Sequence, residues 1–224
     1  EELARQARMQ RVVFHTDAVQ AIGKIPVDVA ALGIDLLSLS AHKFGGPKGA
    51  GALWVRRGTP MAGVITGGRQ ERNRRAGTEN VPAIVGLGAA ARLTRAKLAD
   101  ESTRQTRLRD RLEAGILATV AGTAVNGGGA RRVPNTTNIA FEKVEAESLL
   151  IALDLEGIAV STGSACASGT LEPSHVLRAM GLPPGRVQSS LRFSVGATTT
   201  ADEIDRVLAV LPALVQRLRS VGRR

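Results

Sequence analysis

Two short apolar runs, Asp35–Ser40 (DLLSLS) and Gly51–Val55 (GALWV), flank a glycine-rich loop, AHKFGGPKGA. Runs of this length bounded by Gly and Pro are too brief for helices and fit strands. A further run, Val12–His15, predicts another buried strand that ends at Thr16-Asp17. Residues 2–9 fit the tail of a helix, and Asp28–Leu32 a helical turn stopped by Gly33. Strands alternating with helical pieces predict an α/β layout with a mostly parallel sheet.

Downstream, Pro82 stands where a first helical turn begins, and the pattern predicts a helix to about Leu98. Its Gly86, Gly88 and Ala89–Ala91 are small enough to let another helix approach closely. A second helix is expected from about Ser102 to Val120, with Leu108, Leu112 and Ile116 at helical spacing. The texture then changes. Thr137–Glu142, Ile158–Ser161 and Leu191–Val195 fit strands, and Glu147–Leu155 an apolar helix. The last helix carries Ile204, Val207, Leu208, Leu211, Leu214, Val215 and Leu218 on one face. This organisation predicts an α/β part over residues 1–98 and a small α+β domain over 99–224.

With 224 residues and 43% of them hydrophobic, the chain can bury a real core. Its formal charge of +10 invites a nucleic-acid reading. Aromatics are only 2% and Tyr is absent, so base-stacking platforms are poorly supplied and no nucleic-acid partner is expected. The cluster Arg69, Arg72, Arg74 and Arg75 fits a solvated basic surface, which also suits acidic partner proteins. No apolar run approaches the ~20 residues of a spanning helix, and no secretory start is visible, so no membrane partner and a cytoplasmic location are expected. The chain opens on Glu1 without a methionine, so an upstream segment is expected.

The loop after Ser40 carries the first chemistry. A strand there delivers Lys43 at its carboxyl end, where α/β proteins place ligands. The glycines after it let the backbone turn tightly beside a cofactor. A partly desolvated lysine can attack a carbonyl to form a Schiff base. The hydroxyl of Ser40 and the imidazole of His42 suit a phosphate. The loop lacks the spacing of a P-loop. Lys48 is the rival amine, but it lies beyond Pro47 and off the strand end. By spacing alone, a surface turn with two lysines fits equally well.

Asp17 stands at the end of another predicted strand, followed by Gln20. A buried carboxylate beside a pyridine nitrogen keeps that nitrogen protonated, which pyridoxal chemistry requires. Gln20 suits the ring oxygen. The plainer alternative for Asp17 is a turn or helix cap.

The lone cysteine, Cys166, rules out an internal disulfide and lies in a small, polar stretch, STGSACASG. Buried structural cysteines keep larger apolar company, so this loop argues for an exposed thiol that an electropositive field would ionise. An inert core cysteine is the alternative. Leu171–His175 leads into a helix starting near Pro173 or Ser174, with His175 on its surface. Arg192, inside an apolar strand, needs a carboxylate partner. A substrate carboxylate or a structural ion pair would serve.

Five blocks in order, FHTDAVQAIGKIPVDV, DLLSLSAHKFGGPKGAGALWVRRG, RRAGTENVPAIVGLGAA, STGSACASGTLEPSHVLRAMGL and SSLRFSVGATTTADEID, resemble the cysteine desulfurases of the class-V aminotransferase family. The glycine- and serine-rich segment around Cys166 is similar to the NifS/IscS subgroup; the SufS subgroup carries a shorter one. The resemblance implies the fold type I of pyridoxal-phosphate enzymes. It also implies a C-terminal portion whose large domain is incomplete, since the family's upstream ring-stacking histidine and asparagine have no counterpart here. His15 is not that histidine.

It further implies a role for each motif residue. Lys43 would carry pyridoxal 5'-phosphate as a Schiff base and later act on the substrate Cα proton. Asp17 would pair with the pyridine nitrogen, Gln20 with the ring hydroxyl, and Ser40 and His42 with the phosphate. Thr78 would reach the phosphate of the partner subunit in a homodimer. Arg192 would anchor the carboxylate of L-cysteine, and Cys166 would take its sulfur as a persulfide, leaving L-alanine. The sulfur would pass to an iron–sulfur scaffold or another acceptor protein. A selenocysteine lyase, a class-V aminotransferase or a partner-binding remnant without activity are the alternatives.

Overall fold

The computed structural model describes residues 1–163 and 173–221. It divides into two units, Glu1–Asp100 and Glu101–Arg224.

In the first unit, helix α1 (Glu2–Met9) precedes strand β1 (His15–Asp17), helix α2 (Val29–Leu32) and strand β2 (Leu36–Ser40). A 3-10 turn (Ala41–Phe44) leads to strand β3 (Gly51–Val55). Asp28 caps α2 by accepting the N–H groups of Ala30 and Ala31, and Gly33 ends it at φ 67°. A left-handed end of this kind is cheap only for glycine. The sheet order is β1-β2-β3, with β1–β2 parallel and β2–β3 antiparallel. The described sheet is therefore mixed, where a mostly parallel one was expected. Residues 41–50 are too few for the crossover that a parallel pair needs, so β3 returns as a hairpin.

Strand β1 lies later than the apolar run predicted. Val12 and Val13 are 58% and 46% exposed, while His15–Asp17 pair with Leu36–Ser38. The small core gathers Ala18, Ile34 and Leu37, with Phe14, Ile22, Leu39 and Trp54 packed around them.

After a short turn labelled α3 (Gln70–Asn73), helix α4 spans Val81–Thr119 without a break. Two helices were expected here, divided near Asp100. No Gly or Pro lies between Gly88 and Gly115, so the backbone has no reason to stop. Asn80 caps the start of α4 by accepting the N–H of Ala83. Gly86 does take a close neighbour, but it is the ring of Pro47 and not a helix, and Gly88 has open space beside it.

The second unit holds an antiparallel sheet, β4 (Thr123–Val125), β5 (Thr136–Phe141) and β6 (Ser190–Ser194), in that order. Helices α5 (Ala146–Leu155), α6 (His175–Ala179), α7 (Pro184–Gln188) and α8 (Ala201–Val221) complete it. Ile116, Ile139, Phe141, Leu149, Leu153, Leu191 and Leu211 are fully buried in one core. The apolar face of α8 contributes Ile204, Val207, Leu211, Leu214 and Val215 to it, with Leu208 and Leu218 partly covered. The strand expected over Ile158–Ser161 reduces to one antiparallel bridge, Ser161 to Arg192. Thr200 and Glu203 close a reciprocal capping box at the start of α8.

Candidate functional site

Strands β1 and β2 run parallel, so their carboxyl ends share one edge of the first sheet. Asp17 closes β1 and Ser40 closes β2. Asp17 is the register partner of Ser38. Side chains alternate along a strand, so Asp17, Ser38 and Ser40 lie on one face. His15 is on that face too, its Nε2 2.7 Å from Ser38 Oγ.

Asp17 is exposed, where a buried carboxylate was expected. Its Oδ1 accepts the Val19 N–H at 2.8 Å, a local turn bond that fixes the carboxylate at the strand end. Ser40 Oγ lies 2.8 Å from Nδ1 of His42, across the start of the 3-10 turn. Lys43 follows on the same turn, half-buried, and makes no hydrogen bond or ion pair among the described residues. Gly45 ends the turn at φ 86°, with nothing within 4 Å of the place a Cβ would take. Gly46 is held tighter, since its Cβ would stand 2.8 Å from that of Ala41. Thr78 is exposed in the loop before α4.

The segment after Asp17 folds back as a helical turn, Ala18 to Ile25, anchored by Ala18, Ala21 and Ile22 in the core. Gly23 sits in it at φ 80°, where a Cβ would meet Thr94 Cγ2 at 2.7 Å and Phe44 Cβ at 3.0 Å. Thr94 also donates to the Phe44 carbonyl at 3.2 Å. The turn carrying Gln20, the turn carrying Lys43 and the first part of α4 are thus packed together. Within this cluster Lys24 donates to Gln20 Oε1 at 2.9 Å and to the Gln20 carbonyl at 3.2 Å. Burial, and after it the like charge of Lys43, hold the Lys24 amine below the ordinary lysine range. Sequence reasoning passed over Lys24. The one available signal was its place four residues after Gln20, the spacing of one helical turn.

In the second unit, Arg192 lies on β6 between buried Leu191 and Phe193, itself half-buried and opposite Asn138. Its backbone bonds Ser161 in both directions, at 2.6 and 3.2 Å. Among the described residues no ion pair of its guanidinium is found. Beside it, Asn126 donates to Asn138 at 2.6 Å and to Ser190 at 2.8 Å, while Arg186 donates to Asn126 at 2.7 Å. This network ties β4, β5 and β6 together. His175 is exposed at the start of α6, and Ser174 caps that helix by accepting the Leu177 N–H. Cys166 lies outside the described residues.

The donor set of the first unit fits pyridoxal phosphate. It offers a primary amine free to bond an aldehyde, a hydroxyl and an imidazole for a phosphate, and a carboxylate on the same sheet edge. No group of three His, Cys, Asp or Glu among the described residues is arranged for a metal ion. No helix among them is long and apolar enough to cross a membrane.

The profile of the family "Aminotransferase class-V" matches residues 1–207. A cysteine desulfurase of Trichormus azollae is 52% identical over 222 residues, which cover 99% of this chain and 56% of that protein. The cysteine desulfurase IscS of Methanosarcina thermophila is 51% identical over 99% of this chain and 54% of its own length. The chain therefore spans about half the length of the curated relatives it matches. Among solved structures, a NifS-like protein from Rickettsia africae superposes with a TM-score of 0.87 at 32% identity, over 96% of this chain and 57% of that one. SspA in complex with cysteine gives a TM-score of 0.68 at 34% identity, over 87% and 53% of the two chains.

Proposed function

The chain belongs to the class-V aminotransferase family, and from that membership we propose that its chemistry is the pyridoxal-phosphate-dependent removal of sulfur from L-cysteine. Members of the family depend on pyridoxal phosphate. When bound, this cofactor supplies the electron sink that makes the substrate Cα–H acidic and loosens the Cβ–S bond.

Lys43 would hold the cofactor through its amine and would serve as the base at the substrate Cα. Asp17 keeps the proton on the pyridine nitrogen by ion pairing. Gln20 donates to the ring oxygen, and Ser40 and His42 hold the phosphate. Thr78 reaches the phosphate bound by the partner subunit of a homodimer. Arg192, half-buried and without an ion-pair partner among the described residues, takes the substrate carboxylate bidentately. Cys166 as a thiolate attacks the substrate sulfur. An S–S bond forms, the Cβ–S bond breaks, and its electron pair stays on carbon. A proton delivered to Cβ and the return of the proton to Cα complete L-alanine, and the sulfur remains on Cys166 as a persulfide for an iron–sulfur scaffold or another acceptor protein. The large-domain fold of this reading is fold type I of the pyridoxal-phosphate enzymes.

The observation that carries the proposal is the shared sheet edge of Asp17, Ser40, His42 and Lys43 in a chain about half identical to cysteine desulfurases. The neighbour solved with cysteine supports the choice of substrate. The test begins with the purified chain and pyridoxal phosphate. A visible absorption band, lost in Lys43→Ala, is expected. Sulfide release from L-cysteine with a reductant should vanish in Lys43→Ala and Cys166→Ala alike. Activity that survives Cys166→Ala would turn the reading toward an aminotransferase, and no band in the wild type would overturn it.

A further inference from the structure

We infer that Lys24 is a positioning residue that fixes the polarity of the Gln20 side-chain amide, so that Gln20 presents its NH2 group, and not its carbonyl, to the ring oxygen of the cofactor. The inference rests on the functional reading above and extends it to a residue which that reading does not use.

An amide side chain is nearly symmetric in shape, and only its hydrogen-bond partners decide which end is oxygen. An ammonium donates and never accepts. With Lys24 Nζ 2.9 Å from its amide oxygen, Gln20 has one stable orientation, with Oε1 toward the lysine. The second contact, from the same Nζ to the Gln20 carbonyl at 3.2 Å, holds the ammonium against the backbone of the residue it orients. The amide nitrogen of Gln20 has no protein partner among the described residues, and the residue is exposed, so the NH2 group is left as a donor for a ligand. An oxygen that carries negative charge needs a donor. An amide turned the other way would set carbonyl against it.

The support for Lys24 is rigid. Its turn is locked into the core by Ala18, Ala21 and Ile22, and Gly23 brings it against Phe44, next to Lys43. The lysine stem is half-buried there, and holding a charged end at such a place is costly unless the contact serves something.

The test is a double-mutant cycle read by binding and spectrum. Pyridoxal phosphate is titrated into the wild type, Lys24→Met, Gln20→Ala and the double variant, and the pH midpoint of the bound cofactor's visible band is recorded for each. Lys24→Met is expected to weaken binding about threefold to tenfold and to move the midpoint upward, because the ring oxygen loses its oriented donor. In the Gln20→Ala background the same change should alter affinity less than about twofold and leave the midpoint in place. Lys24→Arg, which still donates, should restore most of the affinity. Lys24→Ala serves the same comparison if the methionine disturbs folding. Equal losses in both backgrounds would mean that Lys24 acts by charge alone and would overturn the inference, as would no loss in either. A wild type that takes up no pyridoxal phosphate would bring down the functional reading, and this inference with it. A wild type that binds, with unchanged lysine variants, would bring down the inference alone.

Discussion

Ser40 and His42, two residues apart, meet across the first peptide of a 3-10 turn, with Oγ of the serine 2.8 Å from Nδ1 of the histidine. The contact engages Nδ1 of the imidazole and leaves Nε2 without a protein partner among the described residues. On the proposed function, Ser40→Ala would remove one phosphate donor, and it releases the ring from this contact. The expected result is pyridoxal-phosphate binding weakened about threefold to tenfold, the scale of one hydrogen bond. Titration of the visible band measures it. Unchanged affinity would remove Ser40 from the site.

Gly23→Ala tests the packing that unites the turns carrying Gln20 and Lys43. The residue is at φ 80° and its added methyl would stand 2.7 Å from Thr94. Backbone strain and overpacking together should cost about 1–3 kcal/mol. A lowered thermal midpoint by circular dichroism is expected, with weaker cofactor uptake because Phe44 neighbours Lys43.

Arg104 ties down the loop between β6 and α8. It donates to the carbonyls of Gly196, Ala197 and Thr199 at 2.8, 3.0 and 2.7 Å while bonding Glu101. Arg104→Ala removes three side-chain bonds to this loop, and a loss of about 0.5–1.5 kcal/mol is expected. Denaturant unfolding would show it, and hydrogen exchange should quicken first at the start of α8.

Glu113 gives a pH dependence of known sign. Burial opposes its ionisation, but hydrogen bonds from Arg132 and Thr137, at 2.9 and 2.6 Å, and the charges of Arg132 and Arg109 outweigh it and lower its pKa below 4.5. A carboxylate lowered on folding adds stability that is complete above its unfolded value and lost as pH falls through the folded one. The stability difference between the wild type and Glu113→Gln should therefore be largest near neutrality and shrink on acidification below about pH 4.5. Denaturant unfolding at several pH values measures it, and a difference that grows toward acid would contradict the sign.

Much of the local structure was legible in the residues themselves. Gly51–Val55 is a strand because a five-residue apolar run between glycines has little else to become. Asp28 and Gly33 mark the ends of α2 by cap chemistry that acts within one turn. The buried face of α8 follows from spacing alone. The errors fall where a distant partner decides. Val12 and Val13 are as apolar as any strand residue, yet β1 begins at His15 because Leu36 is where its partner lies. Ile158–Ser161 has the composition of a strand but only Ser161 finds a neighbour on β6.

The same division holds for the site. Local pattern was sufficient to bring out an amine, a carboxylate, a hydroxyl and an imidazole at strand ends, since strand ends and turns are written in short-range sequence. The reason for Gly23 was not legible, nor the contact of Gly86 with Pro47. Each depends on segments far apart in the chain being pressed together by a common core, and close packing, not propensity, chooses which atoms then touch.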